Sequence, residues 1–70
     1  MSNTISLTVN GEAQHCLTNV MLPHFLESLG MNPRLVAVEY NGEILHRQFW
    51  DITEMKEGDR LEIVTIVGGG

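Results

Sequence analysis

The chain has 70 residues, 43% of them apolar, and its nine acidic and four basic side chains give a formal net charge of −5. A domain of this size buries roughly 60% of the surface of its unfolded chain and cannot enclose a substrate pocket of about 300 Å³ or more while keeping a core. One small domain spanning residues 1–70, acting by binding or carrying rather than by catalysis, is therefore favoured before any motif is read.

The four basic residues, Arg34, Arg47, Lys56 and Arg60, are scattered, which with the acidic balance argues against nucleic acid and for partners with basic surfaces. Cys16 is the single cysteine, so no internal disulfide forms, which suits a reducing compartment. No run approaches the length of a membrane span, and the opening residues Met1, Ser2, Asn3 and Thr4 lack the basic and apolar regions of a signal peptide. The expectation is a cytoplasmic protein without membrane contact, monomeric when free.

From Thr4 to Val9 the chain alternates, with Ile5, Leu7 and Val9 on one face of a strand. Asn10 and Gly11 tolerate the positive φ of a two-residue type I′ turn, which pairs Val9 with Glu12, Leu7 with Gln14 and Ile5 with Cys16. Cys16 then faces the core. Thr18 and Asn19 offer a helix cap, and Leu22, Phe25, Leu26 and Leu29 make one apolar stripe on a helix ending before Gly30, with Pro23 in the first turn. Leu35 to Glu39 reads as a strand, and Asn41, Gly42 and Glu43 repeat the hairpin chemistry ahead of a short strand from Ile44 to Arg47. Phe49 to Met55 is irregular or a short helix, with Trp50, Ile52 and Met55 as plugs for the open end of the core. Glu57, Gly58 and Asp59 then turn the chain into a last strand that starts at Arg60 and continues to Val67.

Two hairpins joined by a crossover helix let the first and last strands pair in parallel at the centre of a mixed sheet of about five strands. This is the α+β, β-grasp (ubiquitin-like) layout, with one main helix on one face of the sheet. After Val67 come Gly68, Gly69 and Gly70, a flexible tail without side chains that can lie in a channel closed to a substituted chain. Extended, the four residues from Val67 reach at most about 13 Å, enough to carry a carboxylate into another protein's active site. A frayed terminus is the alternative on these residues alone.

In order and spacing the chain resembles the ThiS family, the sulfur carriers of thiamin (thiazole) biosynthesis. The matching pieces are Val9 to Glu12 after the first strand; Val36, Ala37 and Val38 leading to Asn41, Gly42 and Glu43; Arg47 with Trp50; Glu57, Gly58 and Asp59; and Glu62, Ile63 and Val64 closing on Val67 and the three glycines. His46 departs from the proline often found before the arginine. What the resemblance implies is a protein co-substrate rather than an enzyme. A separate E1-like enzyme that uses ATP and Mg adenylates the Gly70 carboxylate. Sulfur from a donor such as a cysteine desulfurase converts it to a thiocarboxylate (1-thioglycine), and thiazole synthase receives that sulfur. Gly68 and Gly69 serve access, and the carrier itself binds no cofactor.

The remaining side chains suggest no other chemistry. Cys16 is better suited to packing than to carrying persulfide, no spacing among His15, His24 and His46 matches a metal site, and the methionines fill gaps in a thin core. If Leu61 and Ile63 face the helix, Val64 and Ile66 face outward and, with Val67, make an apolar docking patch beside the tail. Covering the sheet end is the competing role for Ile66 and Val67. Glu57, Asp59 and Glu62 are candidates for steering the domain toward basic partners. Rival functions are the small subunit of molybdopterin synthase, a ubiquitin-like modifier attached through Gly70, and a non-covalent binding module with an idle tail.

Overall fold

A computed structural model describes residues 3–66. Val67 and the tail of Gly68, Gly69 and Gly70 lie outside the described residues.

The first hairpin forms as the sequence predicts. Strands β1 (Thr4–Val9) and β2 (Glu12–Leu17) pair antiparallel with Val9 opposite Glu12, Leu7 opposite Gln14 and Ile5 opposite Cys16. Asn10 at φ 52° and Gly11 at φ 83° make the turn, both in the left-handed region that asparagine and glycine tolerate best. Strands β3 (Val36–Tyr40) and β4 (Glu43–Ile44) make the second hairpin, and β5 (Arg60–Thr65) completes a sheet ordered β2, β1, β5, β3, β4. Strand β5 runs parallel to β1 and antiparallel to β3. The central place of the last strand and the β-grasp layout are thus both found.

Helix α1 (Leu22–Ser28) starts later than the Thr18 and Asn19 cap implies. Asn19 instead takes a turn conformation at φ 66°, and the N-cap position falls on Met21, which makes no side-chain cap. The first helical N–H is satisfied from a distance, because Leu22 donates to the Thr53 carbonyl at 2.8 Å. Pro23 sits in the first turn as expected. Gly30 ends the helix at φ 81°, donating to the Glu27 carbonyl while Met31 donates to that of Leu26, which is a Schellman closure.

Leu22, Phe25 and Leu26 pack on Leu7, Val9, Val36, Val38, Leu61 and Ile63 from the inner sheet face. Burying each such side chain contributes roughly 1.5–3 kcal/mol. Trp50 and Met55 close the open end as predicted, but Ile52 does not, being 76% exposed. A 3₁₀ helix at Arg47–Ile52 turns Ile52 to the solvent when it buries Trp50.

That turn also cuts β4 to two residues, where Ile44 to Arg47 was expected. Arg47 leaves the strand direction to donate to the carbonyls of Pro33 at 2.7 Å, Arg34 at 3.2 Å and Val36 at 2.9 Å, with its guanidinium 4.7 Å over the Trp50 ring. The Trp50 indole donates to the Leu45 carbonyl at 2.9 Å. Arg47 and Trp50 therefore act together, tying the loop after β4 to the start of β3.

Both turn asparagines reach onto β5. Asn10 comes directly after the last residue of β1, and its side chain continues the ladder: Oδ1 accepts from Ile63 N at 2.7 Å, and Nδ2 donates to the Ile63 carbonyl at 3.1 Å. Its backbone N–H donates to Leu61 O at 2.8 Å. On the opposite flank, Asn41 accepts from Arg60 N at 2.8 Å, donates its backbone N–H to Arg60 O at 2.7 Å, and donates Nδ2 to Asp59 Oδ1 at 3.1 Å. Asp59 is 7% exposed and also accepts from Lys56 N at 2.7 Å and from the Tyr40 hydroxyl. No buried side-chain polar atom lacks a partner among the described residues.

Asn10→Gly keeps the turn conformation but removes the side-chain amide from Ile63, so it is expected to cost about 2 kcal/mol, measured by denaturant unfolding. A loss below about 0.5 kcal/mol would show that the amide pairing is dispensable.

Burial first, then the hydrogen bond to Asp59 and its negative charge, push the Tyr40 hydroxyl well above its ordinary value of 10. Because the folded protein favours the protonated tyrosine, this stabilisation is complete below pH 10 and is lost as pH rises above it toward the folded-state value. The alkaline decline in stability should accordingly be shallower in Tyr40→Phe than in the unaltered chain, when unfolding is measured across that range.

Candidate functional site

The sequence reading places the chemistry on Gly70, outside the described residues, and partner docking at the end of β5. Pairing with β3 places Thr65 opposite Val36, Val64 opposite Ala37, Ile63 opposite Val38 and Glu62 opposite Glu39. Alternation then sends Leu61 and Ile63 inward to the helix and Glu62 and Val64 outward. Val64 is 62% exposed and Ile66 45% exposed, as expected for the outward face. Ile66 donates its N–H to the Leu35 carbonyl at 2.6 Å, and four more residues complete the sequence beyond it.

Ala37, Glu39 and Ile44 join the same face from β3 and β4, since Glu39 is also opposite Ile44. Together with Val38, Glu62 and Val64 they line a shallow depression of about 210 Å³. Ile44 is 71% exposed at its rim. The sequence reading missed these three residues, although the alternation of Val36 to Glu39 already put Ala37 and Glu39 on the outward face. What it lacked was the register that sets them beside Val64 and Glu62.

The three carboxylates proposed for steering separate. Asp59 is buried and committed to the turn into β5, so it presents no charge to a partner surface. Glu57 is exposed but accepts from Ser6 N at 3.0 Å. Glu62 faces the solvent opposite Glu39, and among the described residues the one ion pair within 4.0 Å is Lys56 with Glu54 at 3.5 Å.

Cys16 lies on the inner side, half-buried against the core, as its register predicts. Burial, with a smaller contribution from the Asp59 charge, pushes its thiol up, away from the reactive thiolate. His15 and His24 line a separate open groove of about 410 Å³ between β2 and α1, together with Cys16. No group of three or more His, Cys, Asp or Glu residues able to hold a metal occurs among the described residues. Met55 is buried in the core while Met21 is exposed, so gap-filling holds for the first and not the second. Among the described residues, no helix is long and apolar enough to cross a membrane.

The model of the ThiS family matches residues 7–70, a span that includes the outward face, all of β5 and the three glycines. The crystal structure of a thiamine biosynthesis protein (ThiS) from Geobacter metallireducens superposes with a TM-score of 0.80 at 35% identity, covering 94% of this chain and 100% of that one. An uncharacterized protein, ycf40, from Pyropia yezoensis is 38% identical over 68 residues, covering 97% of this chain and 96% of its own. A thiazole synthase from Paramagnetospirillum magneticum is 36% identical over 66 residues, 94% of this chain but 20% of that protein. The chain belongs to the ThiS family, the sulfur carriers of thiamine biosynthesis.

Proposed function

We propose that this chain carries sulfur as a thiocarboxylate on Gly70 and delivers it to thiazole synthase in the cytoplasm. The observation that carries the reading is the family match over residues 7–70, which takes in the central strand of the sheet and Gly70.

The chemistry starts from the carboxylate. Ionised at neutral pH, with a pKa of roughly 3.5, it is a poor electrophile and needs a better leaving group. An E1-like partner supplies one with ATP and Mg: a Gly70 carboxylate oxygen attacks the α-phosphorus, pyrophosphate leaves, and a mixed anhydride with AMP forms. The terminal sulfur of a persulfide, provided by a cysteine desulfurase, attacks the carbonyl and expels AMP. A thiol then reduces the resulting acyl disulfide and releases the thiocarboxylate. No side chain of the carrier takes part. Gly68 and Gly69 let the chain enter a narrow channel in each partner, where a Cβ would meet the walls.

Support for thiazole synthase as the receiver comes from the relative in which a stretch similar to this chain is one-fifth of a protein of that name. Joining a carrier to its acceptor raises the local concentration of one for the other. Val64 and Ile66 on the outward face, with Val67 next to them in the chain, are the docking residues in this reading. Their apolar surface stands only a few residues from the carboxylate to be delivered.

With one alanine appended after Gly70, the chain should fold normally and support no thiazole formation in a reaction reconstituted from the purified components. Thiazole formed while intact mass shows the extension still in place would contradict the proposal. Val64→Glu should leave stability within about 1 kcal/mol, since the residue faces solvent, and weaken binding to thiazole synthase about tenfold. Unchanged binding would remove Val64 from the interface.

A further inference from the structure

The depression beside Val64 is not uniformly apolar. Register sets Glu39 directly opposite Glu62 on β3 and β5, both exposed, with Ala37 and Val64 the next pair on that face and Ile44 opposite Glu39 on its other side. Like charges directly opposite on a sheet repel across roughly 5 Å and destabilise it. Arg60 is the nearest basic residue in sequence on this face of β5, and it makes no ion pair with Glu62 within 4.0 Å. The fold thus keeps an acidic pair with no ion-pair partner within 4.0 Å, flanked on its exposed face by Ala37, Val64 and Ile44.

Such a pair restricts what can cover that face. A partner that buried Ala37, Ile44 and Val64 with an apolar surface alone would also desolvate two carboxylates without a counter-charge, at a cost exceeding the gain from the apolar contact. A cation aimed between them removes that cost and relieves the repulsion. Arginine suits the geometry better than lysine, because its planar fork can donate to two acceptors at once. The face also lies within reach of the terminus. Gly70 is four residues beyond Ile66, at most about 14 Å along an extended chain, so a protein that holds Gly70 in its active site meets this surface too.

We propose that Glu39 and Glu62 form a paired anionic contact that accepts a basic side chain, by its geometry an arginine, from the docking surface of thiazole synthase. This rests on the assignment of thiazole synthase as the acceptor and adds the chemistry by which the acceptor is chosen. The apolar residues supply contact area, and the two carboxylates supply register and selectivity. A partner surface that is apolar or acidic at this point is rejected.

The test is a titration of the full-length chain against purified thiazole synthase at low and high salt. The pair is neutralised by Glu39→Gln with Glu62→Gln, and Glu12→Gln with Glu27→Gln removes the same charge from exposed positions elsewhere. Neutralising the pair should weaken binding about tenfold at low salt and flatten the salt dependence, while the control pair changes Kd by less than about twofold. The thermal midpoint of the Glu39 and Glu62 double variant should equal or exceed that of the unaltered chain, because the repulsion is gone. Equal affinity of that variant and the unaltered chain, or an equal loss in both double variants, overturns the proposal. Failure of the unaltered chain itself to bind overturns the acceptor assignment along with it, a result distinct from the other two.

Discussion

Strand β5 is held on each flank by an asparagine that also makes a hairpin turn, and the rest of the molecule depends on that arrangement. Asn10 is required at its turn for a backbone conformation with φ 52°, and from there its amide completes the parallel pairing that β1 is too short to supply. Asn41 does the equivalent work at the other edge and recruits Asp59 into the turn that launches the strand. A parallel strand brought in from the far end of the sequence carries a large loop-closure cost. Polar contacts at both flanks, added to the burial of Leu61 and Ile63, offset that cost.

The hold on β5 matters because the glycines follow this strand in the sequence. A carrier that delivers a group from its last residue has to be recognised through its folded face, since three glycines offer partners almost nothing to grip. The two demands separate along one strand. Leu61 and Ile63 face inward and hold the domain together, Glu62 and Val64 face outward, and the glycines beyond lack side chains altogether. In the proposed role the reactive atom belongs to the main chain, so the domain would need no catalytic side chain, and a core this small would suffice.

The parts of the fold set by local chemistry were legible in the sequence. Alternation in Thr4 to Val9 and an asparagine before a glycine fixed the first hairpin residue by residue, and the apolar stripe from Leu22 identified the helix face. Distant partners obscured the rest. The helix start moved because the Thr53 carbonyl, rather than Thr18 or Asn19, receives the first free N–H. Strand β4 ended early because Arg47 turns back to three carbonyls at and just before the start of β3, and Ile52 is outside because the 3₁₀ helix that buries Trp50 turns it to solvent. Likewise Asp59 looked like a surface charge beside Gly58, and only its three partners reveal it as part of the structural frame. At the candidate site, Val64 and Ile66 were readable from the strand's own alternation. Ala37, Glu39 and Ile44 needed the cross-strand register.

The central claim is that a main-chain oxygen at the end of this chain is exchanged for sulfur. Intact mass spectrometry of the purified chain, after incubation with ATP, Mg, the adenylating enzyme, a persulfide donor and a thiol reductant, tests it most directly. The account predicts a mass gain equal to one oxygen replaced by sulfur, located at Gly70 by fragmentation and absent when ATP is omitted. Sulfur found on Cys16 instead, or an unmodified Gly70 under conditions in which the enzymes act on a known carrier, would contradict it.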